Sequence, residues 1–285
     1  MNPVERIRLR AREGDLEEER TDSLAVEEPL EIRVQTDDGA AAITFVTTMR
    51  TPGHDEELTA GLLFAEGVLE ARADIVALER PADPRVDADL RANVVVATLS
   101  PTAFARAGGL VRGTVMGSAC GVCGRTSIER VLPEGARAVV TDVVLDAGVL
   151  FGLPGSLRRS QSVFAQTGGL HAAGLFTPAG ELRAIREDIG RHNATDKLVG
   201  AHWLAGEVPL RDQVLLVSGR AGFEIVQKAC SAGIPFVASV SAPSSLAVEL
   251  AEAAGITLIG FLRDRRFNLY AHAGRVARID GPRPA

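Results

Sequence analysis

Apolar and polar positions alternate over residues 30–34 and again over 42–49, with Asp37-Asp38-Gly39 between them, which predicts a β-hairpin. Asp55, Glu56 and Glu57 then precede the apolar run Leu62-Leu63-Phe64, the pattern of a helix over about 55–67 with acid in its first turn. Short β-rich runs at 75–78 and 93–99 read as strands. A helix near 126 carries Ile128 and Val131. One or two more fall within 142–166, with Pro154 suited to a first turn. Beyond residue 170 the rhythm becomes regular. Strands at 170–176 and 181–186 flank a turn, followed by a helix over 193–204. Strands at 214–217, 235–240 and 256–261 alternate with helices at 223–232 and 244–254, and a last strand covers 267–271. That alternation predicts a partly parallel α/β sheet with helices on both faces. The division expected is a flexible arm at 1–25, an N-terminal α+β part at 26–140 and an α/β domain at 141–285.

Composition narrows the class. With 46% hydrophobic residues the chain supports a real core. No run of about 20 apolar residues is present to span a membrane, and the first 20 residues lack the apolar stretch of a secretory signal. Three cysteines make no disulfide scaffold, which points to a reducing cytoplasm. The net charge of −6 argues against general nucleic-acid binding. Only Lys197 and Lys228 are lysines, so cationic groups in a pocket are forked guanidiniums, suited to phosphate and carboxylate.

Candidate chemistry begins at Gly117-Ser118-Ala119-Cys120-Gly121-Val122-Cys123-Gly124. Glycines around a C-x-x-C leave sulfur uncovered and let the backbone turn. Such a loop carries sulfur, exchanges disulfides or supplies half a metal site. Arg125 and a helix start beyond it favour thiolate, the reactive form. A second candidate lies at the carboxyl ends of the strands, where open α/β sheets bind ligands. Ser218-Gly219-Arg220 and Ser241-Ala242-Pro243-Ser244 lead into helices, and Phe261-Leu262-Arg263-Asp264-Arg265-Arg266 adds three guanidiniums. Together they suit a phosphorylated ligand, although each loop alone has the ordinary composition of a strand–helix turn. The polar run 187–197 suits either a cap, through Asp188 or Asn193, or an anionic or acid–base site of His192 with Asp188, Arg191 and Lys197. His171 and His202 fit apolar patterns and read as core histidines; Cys230 reads as a small buried residue.

A zinc-dependent deaminase-like hydrolase is the alternative. His54-Asp55-Glu56 followed by Cys120 and Cys123 matches the residue types of H-x-E and C-x-x-C. Ala119 stands where that signature has proline, and the two halves lie far apart.

These stretches resemble the FdhD family of formate dehydrogenase accessory sulfurtransferases. The similar segments are Arg50-Thr51-Pro52-Gly53-His54-Asp55-Glu56-Glu57-Leu58, the CGVCG loop, Gly169-Leu170-His171-Ala172-Ala173 and residues 187–194. The similarity continues through Ser218-Gly219-Arg220, residues 241–247 and Gly260-Phe261-Leu262-Arg263. The resemblance implies a cytidine-deaminase-like α/β fold, with 141–285 as the cofactor-binding domain. It implies a sulfurtransferase with a persulfide on Cys120, assisted by Cys123. Sulfur would come from a cysteine desulfurase and pass to a molybdenum bis-guanine-dinucleotide cofactor destined for formate dehydrogenase, with no permanently bound metal. The resemblance places the cofactor at Phe261–Arg266 and implies a cytoplasmic homodimer. Before Cys120, Gly117-Ser118-Ala119 is smaller than the serine or threonine run expected there.

Overall fold

The structure is a computed structural model and describes residues 2–38, 41–81, 87–110, 115–116 and 138–277. Where the sequence reads as a solvated arm, β1 (Val4–Glu13) and β2 (Leu16–Ala25) pair as an antiparallel hairpin. It is solvated as expected, since most of its residues are exposed. β1 carries a period-two signal, with half-buried Ile7, Leu9 and Ala11 alternating with Arg8, Arg10 and Arg12, but the charge of the segment outweighed it, and β2 has no apolar row to match.

The N-terminal unit is a five-stranded sheet in the order β5-β6-β3-β4-β7. β3 (Glu28–Thr36) and β4 (Ile43–Arg50) form the predicted hairpin, and α1 (Asp55–Ala65) follows. β5 (Ile75–Glu79), the short α2 (Ala88–Ala92) and β6 (Val94–Leu99) come next. The sequence reading has no helix at α3 (Pro101–Gly108), yet its start is well marked. Ser100 accepts from the Ala103 amide, and Pro101 occupies the first turn. β7 (Val115–Met116) lies parallel to β4. Leu30, Ile32 and Val34 alternate inward against Leu58, Leu62 and Leu63 of α1. The predicted helix near 126 lies outside the described residues.

The second unit starts with α4 (Ala147–Ser160), α5 (Ser162–Thr167), β8 (His171–Phe176), β9 (Leu182–Asp188) and α6 (Arg191–Leu204). It continues through β10 (Val214–Val217), α7 (Phe223–Ser231), β11 (Phe236–Ser239), α8 (Ser245–Ala254), β12 (Thr257–Arg263) and β13 (Arg266–Ala271). Its six strands run in the order β13-β12-β11-β10-β8-β9, with β10, β11 and β12 parallel. The sheet is mixed, and helices cover both faces as predicted. Ala173, Leu175, Leu215 and Val217 face α6, α7 and α8. Ala172, Phe176, Val214 and Leu216 face α4. This alternation sorts neighbouring residues into separate cores. Pro154 is a correction: it sits in the middle of α4, because Asp146 caps the helix well upstream by accepting from the Gly148 amide.

Two glycines set how closely the units meet. A Cβ on Gly61 would lie 1.9 Å from the Asp196 carbonyl oxygen, and one on Gly200 would lie 1.9 Å from that of Glu57. α1 and α6 therefore cross with backbone against backbone, an approach open to glycine alone.

Candidate functional site

The parallel strands β10, β11 and β12 end on one edge of the six-stranded sheet. β8 is antiparallel to β10, so it begins at that edge, and β9 returns to it. Topology alone thus gathers His171, Asp188, Ser218, Ser239 and Gly260 there. Ala221 and Pro243 bridge the loops after β10 and β11.

A cleft of about 480 Å³ opens at this edge, between α4–α5 and the strand ends. Its walls include Pro154, Leu157, Phe164 and Leu170, and its polar side chains are Arg158, Gln161, His171 and Ser218. Ser218 Oγ accepts from the Ala172 amide at 2.9 Å, which leaves its hydroxyl hydrogen free to donate. Burial holds the His171 pKa below the ordinary value, and the charge of Arg191 adds to this, so the ring stands neutral. His171 is half-buried and lines the cleft, which corrects the core reading. The Arg158 guanidinium stacks 3.9 Å from the centre of the Phe164 ring at the cleft's rim.

Beside the cleft lies a cationic corner. A Cβ on Gly219 would be 3.2 Å from His171 Nδ1 and 3.5 Å from Arg191 Cδ, so both side chains border the space that this glycine leaves open. Burial lowers the Arg191 pKa, and the nearby charge of Arg220 lowers it further. Arg191 Nε is buried without a hydrogen-bond partner. Two guanidiniums with one buried free donor make a locus for an anion.

Of the other predicted ligand-binding residues, Ser244 caps α8 by accepting from the Ala247 amide at 3.2 Å, the ordinary use of its type. Ser241 accepts through its carbonyl from Ser239 Oγ and the Phe261 amide. The stretch Phe261–Arg266 is not a strand–helix turn. It is the bulged tip of the β12–β13 hairpin, with Phe261 and Asp264 at positive φ. Bulges re-aim side chains, and here Arg263, Asp264, Arg265 and Arg266 are exposed. Leu262 is a correction, since its side chain is fully buried under α4. Arg265 lies 5.9 Å from the Phe151 ring centre, which puts the tip along the same helix that walls the cleft. The tip does not line the cleft itself.

The polar run at 187–197 proves mainly a latch between the units. Asp188 is fully buried and accepts from the amides of Thr51 and Gly190 and from Asn193 Nδ2. Lys197 Nζ lies 2.7 Å from Asp188 Oδ2 and donates to the Thr51 carbonyl. Neither Asp188 nor Asn193 is the N-cap of α6, a position held by Gly190. His192 Nε2 pairs with Glu224 Oε2 at 2.7 Å. Across the junction a second cleft, about 290 Å³, is lined by Thr51, His54 and Lys197, and it shares Leu170 with the first.

Cys120 and Cys123 lie outside the described residues. The chain enters their loop from Met116, beside Thr48, at the end of β4 that leads into Thr51 and His54. His54 Nδ1 pairs with Glu57 at 3.1 Å, while Glu56 faces Arg80, so the two side chains of H-x-E take different partners. Among the described residues no group of three metal-ligating side chains assembles, and no helix is long and apolar enough to cross a membrane. Cys230 is buried as expected, and burial pushes its thiol pKa up. His202 is also largely buried, its Nδ1 2.6 Å from Glu207.

Sequence reasoning passed over Gln161, which carries no motif signal, and read His171 as a core histidine. It named Arg191 beside His192 as part of an anionic site, and the structure sets Arg191 at the cationic corner.

Residues 25–277 match the FdhD/NarQ family. A curated relative from Thermoplasma acidophilum, named sulfur carrier protein FdhD, is 46% identical over 258 residues, 90% of this chain and 88% of its own. Another of that name, from Streptomyces coelicolor, is 48% identical over 272 residues, 94% of each chain. The fold matches a solved structure from Desulfotalea psychrophila, described as a candidate formate dehydrogenase accessory protein. The TM-score is 0.72 at 22% identity, over 97% of this chain and 100% of that one.

Proposed function

This chain belongs to the FdhD/NarQ family, and from that premise we propose that it is a sulfur carrier for the molybdenum bis-guanine-dinucleotide cofactor of formate dehydrogenase. Its curated relatives carry the name sulfur carrier protein. In this reading the Cys120 thiolate attacks the terminal sulfur of a cysteine desulfurase persulfide. The donor's S–S bond breaks, its thiol leaves, and a persulfide forms on Cys120. Cys123 then attacks Sγ of Cys120. The terminal sulfur departs as hydrosulfide toward the cofactor, and the Cys120–Cys123 disulfide awaits reduction by an external thiol. The cofactor is substrate here. Its phosphates meet Arg191 and Arg220, with the arginines of the 261–266 hairpin alongside. The exchange belongs in a reducing cytoplasm, in a homodimer.

The observation that carries the ligand part is Arg191 Nε, buried without a partner beside a second guanidinium at the strand ends. Met116 supports the sulfur part, because the cysteine loop starts from the edge where Thr51 and His54 lie.

The test has two readouts. After incubation with a desulfurase and cysteine, mass spectrometry should find one added sulfur on Cys120. In cells, Cys120→Ala should abolish formate dehydrogenase activity. An active dehydrogenase with Cys120→Ala overturns the mechanism.

A further inference from the structure

Gln161 is the single residue between α4 and α5 and is only 4% exposed. As the N-cap of α5, its side chain would normally accept from the amides of Val163 or Phe164. It does neither. Both amides donate instead to the Glu187 carboxylate, at 3.1 and 2.8 Å. Capping is done by a neighbouring strand, and the Gln161 amide is released from it. Gln161 lines the cleft, and its Nε2 is buried with no hydrogen-bond partner. A buried donor without a partner costs free energy, so its persistence at a cleft marks a ligand contact.

The surroundings define what that ligand offers. The walls are apolar, as a flat ring requires, and the volume suits one small-molecule moiety. The remaining polar groups are the Arg158 guanidinium, held on the Phe164 ring at the rim, and Ser218 and His171, which lie toward Gly219 and the cationic pair. A ligand that fills both places has a flat ring at one end and phosphate at the other. An amide N–H satisfies an acceptor on the ring edge and clashes with an amino group.

We propose that Gln161 is the specificity donor for a purine nucleotide, reading the ring's 6-oxo group in the cleft between α4 and β8. The inference rests on the cofactor reading above and assigns its base recognition to a residue outside every motif.

Calorimetric titration of the full-length protein with GDP, IDP and ADP tests it. GDP and IDP carry the oxo group and should bind alike, with ADP at least about tenfold weaker, since a site built for one hydrogen bond rejects the analogue lacking it. Gln161→Leu should weaken GDP about tenfold and leave ADP unchanged, erasing the preference. Gln161→Glu, close to isosteric, serves if the leucine variant fails to fold. It replaces the donor by an acceptor and should bring GDP below ADP. If wild type prefers GDP and both folded variants keep that preference, the assignment to Gln161 fails while the cofactor reading stands. If wild type binds all three alike, the assignment also fails. If no guanine nucleotide binds, the cofactor reading fails with it.

Discussion

Lys197 Nζ sits 2.7 Å from Asp188 Oδ2, and both side chains are shut off from solvent. The pair joins α6 to the end of β9, and each partner also bonds Thr51 of the other unit, Asp188 accepting from its amide and Lys197 donating to its carbonyl. One buried ion pair thus fixes the loop between β4 and α1 against the sheet edge that carries the candidate site. Removing one partner strands the other's charge. Lys197→Met should therefore cost about 3–5 kcal/mol in urea unfolding. The double variant Asp188→Asn with Lys197→Met should recover part of that loss, because no charge is left uncompensated. A single-variant cost below about 1 kcal/mol would show that the latch contributes little.

The crossing of α1 and α6 makes a second demand. Alanine normally stabilises a helix relative to glycine by about 1 kcal/mol. At Gly200 the sign should reverse, since the added methyl meets the Glu57 carbonyl oxygen at 1.9 Å, a rigid backbone atom. Gly200→Ala should destabilise by at least about 3 kcal/mol, with the helices forced apart. Gly152 of α4 is the control: it is exposed with nothing near a built Cβ, so Gly152→Ala should stabilise. Thermal melting of both variants checks the contrast, and equal shifts would refute the close crossing.

Much of the fold was legible in sequence, and the failures have physical causes. The alternation beyond residue 170 placed all six strands of the second sheet to within two residues at each end, and the three buried parallel strands among them leave unmistakable apolar runs. β12 was ended two residues early. Its bulge at 260–263 breaks the period just where the chain continues as a strand. The strand ends pointed to the edge of the sheet where the cleft opens, yet Gln161 and His171 stayed hidden. Both owe their roles to neighbours distant in sequence: Glu187 relieves Gln161 of capping, and Ser218 lies beside His171 only because β8 and β10 pair. A sequence read in windows cannot display such relationships.

Glu57 predicts a pH dependence. Burial would raise its pKa, but hydrogen bonds from Arg186 and His54 outweigh that and lower it from 4.5 to about 2. Arg186 Nη2 donates to Glu57 Oε1 at 2.7 Å, again across the two units. A carboxylate whose pKa is depressed on folding stabilises fully above its unfolded value, and that stability is lost as pH falls through the folded one. The loss should therefore develop between about pH 4.5 and 2 and reach about 3 kcal/mol. Glu57→Gln should flatten the stability curve in that window relative to the parent. An unchanged acid limb would remove the pair from the account.

Arg191 and Arg220 should separate stability from binding. Burial lowers the Arg191 pKa, and Arg220 lowers it further, so the ligand-free protein bears a repulsion that an anion relieves. Replacing Arg191 by methionine keeps much of the side chain's volume and removes that repulsion. Arg191→Met should thus leave the melting temperature unchanged or raise it by a few degrees, as expected where a functional site holds strain. The same change removes the buried Nε donor and should weaken GDP binding at least about tenfold. Arg220 is exposed, so its contribution is screened. Arg220→Ala should weaken GDP only a few-fold at low salt and not measurably at 0.5 M salt, where the screening length is only about 4 Å. The binding defect of Arg191→Met should persist there. If the two variants lose affinity equally at both ionic strengths, the corner acts as a diffuse positive surface and Arg191 holds no particular phosphate.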